Sequence, residues 1–249
     1  MRIIGTPKIF LSILKEFLKK KFELLTGSKL YRNSLPRGTC LTHDIKRLSY
    51  SPIREVWDVG AHQGETALTF AQSFPQSTIR SFEPVTQNYQ LLEKNCSGLK
   101  NFCAYQFAFG ETNKSAKIHL QDASVTHSLR DDLNQPNQQD LDSEDIEVRT
   151  IDSVVSDFSC PSIDLLKIDV EGYELKLLEG SQKCLRDKRI NCIFIETGLD
   201  KRFNSIESLV NFLSPYGYLP YAFYEQTPHW TGRQNLWYWN TLFTRESLL

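Results

Sequence analysis

From residue 55 onward, short apolar runs alternate with stretches in which apolar residues recur at helical spacing. Residues 55–59 read as a strand ending at Gly60. Ala67, Leu68 and Ala71 give an apolar side to a helix over 65–73. Residues 78–82 form the next strand, ending at Glu83-Pro84, and a helix follows over 87–95. Residues 102–109 read as one third strand ending at Gly110. Two strand-like pieces come next, 116–120 and 146–151, separated by the polar stretch 122–144. A loop that long in a compact domain is a lid, an acceptor-binding segment or a surface insertion. The clearest strand is 163–169, followed by a helix over 174–185, an apolar strand at 190–196 and a helix at 205–213. Two last runs, 218–224 and 236–244, predict an antiparallel pair closing one edge. Strands alternating with helices predict an α/β fold, with a largely parallel sheet and helices on both faces.

Ahead of this pattern, residues 1–50 read as a helical extension followed by a loop, leaving 51–249 as the main domain. Ile9, Phe10, Ile13, Leu14, Phe17 and Leu18 recur at helical spacing among Lys8, Lys15, Lys19, Lys20 and Lys21. Two readings stand: peripheral contact of residues 1–25 with an anionic membrane surface, or an ordinary helix packed beside the domain. The stretch lacks the cleavage site and uninterrupted apolar centre of a secretory signal, and no apolar run is long enough to span a bilayer.

Composition narrows the classes. Of 249 residues, 40% are hydrophobic and 24% charged, enough for a sizeable core under a solvated surface. A net charge of −1 argues against a nucleic-acid partner, which calls for a basic face. The six cysteines form no CxxC pair, which fits free thiols in a reducing compartment. With no export signal, a cytoplasmic location is expected, membrane-peripheral if the first helix binds lipid.

Parallel α/β sheets bind ligands at the carboxyl ends of their strands. The first strand ends in Asp58-Val59-Gly60-Ala61-His62-Gln63-Gly64. Its glycines permit a tight turn and close approach of a ligand, and the next helix opens with unpaired amides. The second strand ends in Glu83, placed to accept ribose hydroxyls. A full G-x-G-x-x-G is absent, so a diphosphate fits poorly. An amino-acid ligand fits better, with Asp58 meeting its ammonium. These features favour S-adenosylmethionine over NAD. Asp169 and Glu171 follow the strand at 163–169, and Glu196 ends its neighbour. Such carboxylates could deprotonate a hydroxyl or hold a hard divalent ion, making Asp169, Glu171 and Glu196 candidate metal ligands. The alternatives are a helix-dipole role for Glu171 and a structural one for Asp169. His127 is a further candidate base in the polar loop. His62 shapes the turn, and Trp230, Trp237, Tyr238 and Trp239 read mainly as packing.

Three segments together resemble the FkbM-type methyltransferases. They are Trp57-Asp58-Val59-Gly60-Ala61-His62-Gln63-Gly64-Glu65-Thr66, Ser81-Phe82-Glu83-Pro84, and Leu166-Lys167-Ile168-Asp169-Val170-Glu171-Gly172-Tyr173-Glu174. Ala108-Phe109-Gly110 and Ile151-Asp152-Ser153-Val154 add to the match, which runs over roughly residues 54 to 198. The resemblance implies a Rossmann-like class I methyltransferase fold: a mostly parallel seven-stranded sheet with an antiparallel edge strand. It implies methyl transfer from S-adenosylmethionine to oxygen, on a small-molecule, glycan or glycolipid acceptor such as a sugar or secondary metabolite. It places Asp58, Gly60 and Gly64 by the methionine end of the cofactor, Glu83 by the ribose, and Ala108, Phe109 and Gly110 by the adenine, with Ala61 and Pro84 also in the cofactor site. Family members often carry Asn-Ile or Asn-Val where this chain has His62-Gln63. The rival readings are an NAD or nucleotide-sugar enzyme on a similar sheet, and a methyltransferase-like module without catalysis.

Overall fold

The computed structural model describes residues 7–31, 35–49, 51–119, 143–199, 204–228 and 236–249. The chain divides into two compact units, residues 1–36 and 37–249. In the first unit, α1 (Pro7–Thr26) is a single helix of 20 residues. Among the described residues no helix is long and apolar enough to cross a membrane.

The second unit opens with α2 (Leu41–Leu48), in a stretch the hydropathy pattern assigned to the extension and read as loop. Its one buried face carries Asp44, Ile45 and Leu48. An eight-residue helix makes only about two turns, too few for its period to stand out, which is why the pattern missed it.

The main sheet is built from β1 (Glu55–Val59), β2 (Thr78–Phe82), β3 (Phe102–Tyr105), β7 (Ile163–Ile168), β8 (Ile190–Gly198), β9 (Tyr218–Pro228) and β10 (Leu236–Arg245). Its order is β3-β2-β1-β7-β8-β10-β9. The first five strands in that order run parallel, and β10 is antiparallel to both neighbours. The expected α/β class and seven strands are therefore present, with the reversed strand lying one place in from the edge. Side chains alternate between faces along β1: Trp57 and Val59 join one buried cluster, Val56 the other. Helices α3 (Glu65–Ser73) and α4 (Thr86–Cys96) cover the second face. Helices α5 (Ile151–Asp157), α6 (Glu174–Glu179), α7 (Gln182–Arg186) and α8 (Ile206–Leu213) cover the first.

Three local readings are corrected. Residues 102–109 are not one strand: β3 ends at Tyr105, and β4 (Ala108–Phe109) pairs instead with β6 (Ser143–Arg149) in a second sheet ordered β4-β6-β5, where β5 is Lys114–His119. The run at Ile151 opens a helix. Its N-cap Thr150 accepts a hydrogen bond from the Ser153 amide, a local signal that outweighs the β-branched Ile-x-x-Val-Val pattern. The helix expected over 174–185 is two helices, broken where Gly180 packs against Gly110: a Cβ on Gly180 would lie 2.1 Å from the Gly110 carbonyl oxygen.

Candidate functional site

The parallel strands β1 and β2, with β7 beyond β1, end on one side of the sheet, and a cavity of about 420 Å³ opens there. Its wall is made by the β1 turn (Gly60, Ala61, His62), the β2 end (Glu83, Pro84, Val85), the β4 segment (Phe107, Ala108, Phe109) and the residues after β7 (Asp169, Val170, Glu171). Val59, Glu65, Thr66, Phe82, Asn88, Ile118, Lys167 and Tyr173 complete it.

The β1 turn is locked to β2. Gly60 and Ala61 donate their amides to the Phe82 carbonyl at 3.0 and 3.1 Å. Gly60 has φ +74, and a Cβ there would lie 1.8 Å from the Asp169 carbonyl oxygen. Gly64 has φ +98, and a Cβ would lie 2.8 Å from Cys96 Sγ and 2.9 Å from Leu92 Cδ1. The glycines therefore answer to close packing of the protein on itself, where the sequence suggested approach by a ligand. Gly64→Ala is expected to cost about 2–3 kcal/mol from left-handed backbone and crowding. Urea unfolding checks this, and a loss near zero would show that Leu92 and Cys96 give way.

Glu83 sits at the cavity wall, yet is 5% exposed. The His62 amide donates to its Oε2 and the Val85 amide to its Oε1, both at 3.0 Å. Asn88 adds a side-chain hydrogen bond. Burial outweighs these and pushes its pKa up to about 7. Beside it the aromatic rings pack closely, with Phe82–Phe109 centroids at 4.8 Å and Phe107–Phe109 at 5.4 Å. The cavity thus has a flat apolar flank next to one carboxylate.

Asp58 and Lys167 stand opposite each other in the β1–β7 register. Asp58 is fully buried and does not line the cavity. Its Oδ1 lies 3.1 Å from Lys167 Nζ. The same ammonium donates to the Gly60 carbonyl at 3.1 Å and stands 3.4 Å from Asp169 Oδ2. Burial works against the Lys167 charge, but Asp58 and then Asp169 outweigh it and hold its pKa above the ordinary lysine range. Asp58 is thus sealed beneath the turn, and Asp169 is the strand-end acid that opens onto the cavity. The sequence reading assigned Lys167 no role. A lysine between the apolar Leu166 and Ile168 of a buried central strand was the signal, since a buried ammonium needs carboxylate partners.

After β7 the chain stays against β1, the Asp169 amide donating to the Val59 carbonyl at 3.1 Å. Glu171 (φ +52) and Gly172 (φ +90) then turn left-handed. Glu174, nearly fully buried, holds this turn, its Oε1 accepting the Val170 and Gly172 amides at 3.3 and 3.0 Å. Asn204 donates to the Glu174 carboxylate and to the Gly172 carbonyl. Glu171 therefore lies in the turn ahead of α6 and lines the cavity, while Glu174 occupies the first helical turn. Tyr173 donates to Glu111 at 2.8 Å across the cavity rim.

Of the other candidates, Gly60, Ala61, Pro84, Ala108 and Phe109 line the cavity; Gly64 and Gly110 stand behind it, supporting packing. His127 and Trp230 lie outside the described residues. The expected metal centre at Asp169, Glu171 and Glu196 is not formed: among the described residues no group of three or more His, Cys, Asp or Glu is placed to hold an ion. Glu196 has its pKa pushed up to about 9 by burial and then by the charges of Asp169, Glu171 and Glu174.

The family model described as the methyltransferase FkbM domain matches residues 58–220. The 2-O-methyltransferase NoeI of Sinorhizobium fredii is 24% identical over 166 residues, covering 62% of this chain and 68% of its own length. The hexuronic acid methyltransferase AglP of Haloferax volcanii is 23% identical over 191 residues, covering 73% and 72%. Among solved structures, the methyltransferase FkbM from Methylobacillus flagellatus matches with a TM-score of 0.50 at 17% identity. That match covers 79% of this chain and 44% of the solved one, so this chain spans less than half of it. At that identity the likeness is one of fold.

Proposed function

Since the chain belongs to the FkbM-domain methyltransferase family, we propose that it transfers a methyl group from S-adenosylmethionine to a hydroxyl oxygen of a sugar-type acceptor, with secondary metabolites as the wider class. The observation that carries the reading is the pairing of Glu83, gripped by two backbone amides, with the apolar flank of Phe107, Ala108 and Phe109 in one cavity. The donor set fits the cofactor: a carboxylate to accept ribose hydroxyls, flat apolar side chains for a purine, and a carboxylate at Asp169 for an ammonium or an acceptor hydroxyl. The names of the two relatives, a 2-O-methyltransferase and a hexuronic acid methyltransferase, support oxygen and sugar as acceptor chemistry.

When bound, S-adenosylmethionine supplies a methyl group already activated by its positively charged sulfur. The chain's task is to hold an acceptor oxygen in line with that group and exclude water. Asp169 would take the acceptor hydroxyl's proton onto its carboxylate, leaving the oxygen free to displace the sulfur from the methyl group. Lys167 orients Asp169 through the 3.4 Å ion pair, and Glu171 stands beside it at the cavity wall.

Calorimetric titration with S-adenosylmethionine and, separately, with NAD tests the cofactor. Selective binding of the first is expected, and Glu83→Gln should weaken it about 10- to 100-fold, the value of a hydrogen bond to a charged group. The affinity should also depend on pH. The ionised Glu83 carboxylate accepts hydroxyl protons better than the neutral acid, so affinity falls as pH drops below about 7. Folding runs the other way. A raised pKa means the stabilisation from neutral Glu83 is complete below its ordinary 4.5 and is lost as pH rises through about 7. Preference for NAD, or no binding of S-adenosylmethionine, would overturn the proposal.

A further inference from the structure

The helix α1 is not used by any of this chemistry, and its surface is unusual for a protein helix. At 100° per residue, Leu14, Phe17, Leu18 and Leu25 fall on one side. All four are exposed, Phe17 at 60% and Leu25 at 76%. Exposed lysines Lys15 and Lys20 flank this apolar side, one at each border, and exposed Lys21 falls within it. The acids Glu16 and Glu23 lie on the opposite side. Glu23 is turned back on its own segment: it accepts the Leu30 amide at 2.9 Å and stands 3.7 Å from Lys29 Nζ and 4.0 Å from Lys19 Nζ.

We infer that α1 lies on an anionic lipid surface, with its apolar side in the headgroup–acyl boundary. The lysine positions select lipid over a protein groove. An apolar groove on a partner, or the same face of a second copy, would bury the Lys21 ammonium among hydrocarbon without a counter-charge, at a cost no apolar contact offsets. At a bilayer its long stem lies along the apolar layer and the ammonium reaches the phosphates, as do those of Lys15 and Lys20 at the borders. The far-side acids face water, where they are not repelled by the lipid. Over the described residues the helix is not long and apolar enough to cross a bilayer, and its axis lies in the plane of the surface.

The test is co-sedimentation of the full chain with phosphatidylcholine vesicles with and without phosphatidylserine, over a range of salt. The chain should pellet with the serine-containing vesicles and be released as salt rises. Phe17→Ser with Leu18→Ser should abolish pelleting. Lys15→Gln, Lys20→Gln and Lys21→Gln should each weaken it about fivefold, the contribution of one lysine near an anionic surface. All these side chains are exposed and lie in the first unit, so an unfolding temperature equal to wild type shows that lost binding is not lost folding. No pelleting with anionic vesicles overturns the inference, as does equal pelleting with pure phosphatidylcholine. A dimer in light scattering that the Phe17→Ser, Leu18→Ser variant turns monomeric also overturns it, in favour of a second copy.

Discussion

Asp169→Asn should lower turnover about 10²- to 10⁴-fold, the usual contribution of a positioned general base, while leaving S-adenosylmethionine affinity close to wild type. The amide is the same size as the carboxylate and cannot take a proton. The substitution leaves the Asp58–Lys167 ion pair and the Gly60–Lys167 hydrogen bond in place, so the turn beside the cavity keeps its shape. Turnover is measured on whichever member of a panel of glycosides and uronic acids the wild-type chain methylates fastest, with cofactor binding followed by calorimetry. Matched losses in turnover and cofactor affinity would mean that Asp169 holds the cofactor instead of the acceptor proton. Wild-type turnover would exclude it as base, and Glu171, the next carboxylate along the wall, would be examined in the same way.

The largest stability effect is expected from Lys167→Met. Removing the ammonium leaves Asp58 fully buried beside no cation, and breaking one side of a buried pair costs about 3–5 kcal/mol. The Gly60 carbonyl also loses its donor. The double variant Asp58→Asn with Lys167→Met should recover much of the loss, because no charge is then stranded. Urea unfolding of the four proteins gives the coupling directly. If Lys167→Met costs under about 1 kcal/mol, the pair carries no such weight. The sign with pH is fixed by the raised lysine pKa: the stabilisation is complete at neutral pH and is lost only as pH climbs through the alkaline range.

What could be read from sequence follows the range of the physics involved. Strands β1, β2, β7 and β8 were legible because strands buried on both faces must be short and apolar, and their ends carry acids that an apolar core does not tolerate. The change of sheet between Tyr105 and Ala108 was not legible, since only Gln106 interrupts the apolar residues there and nothing in their spacing names a hydrogen-bonding partner. Helix α5 was hidden by β-branched residues whose preference the Thr150 cap and the core override. In the site, Glu83 and Asp169 were found as acids at strand ends. The division of labour between Asp58 and Asp169 was not, because it depends on Lys167 standing across from Asp58 in the register, a relation spanning more than a hundred residues of chain.

Helix α2 carries a consequence for biosynthesis. Asp44, without exposure to solvent, accepts a hydrogen bond from Tyr224 Oη at 2.7 Å, a partner 180 residues further along the chain. Its nearer partners, the Gly38 amide and the Arg47 guanidinium at 3.7 Å, come from the same stretch of chain. A ribosome adding about 5–20 residues per second needs about 9–36 s to reach Tyr224. Through that interval Asp44 stays hydrated, and the segment bearing Ile45 and Leu48 cannot reach its final burial. The nascent chain therefore carries an unfinished apolar edge around α2 until β9 and β10 emerge, so this corner of the core closes late in synthesis.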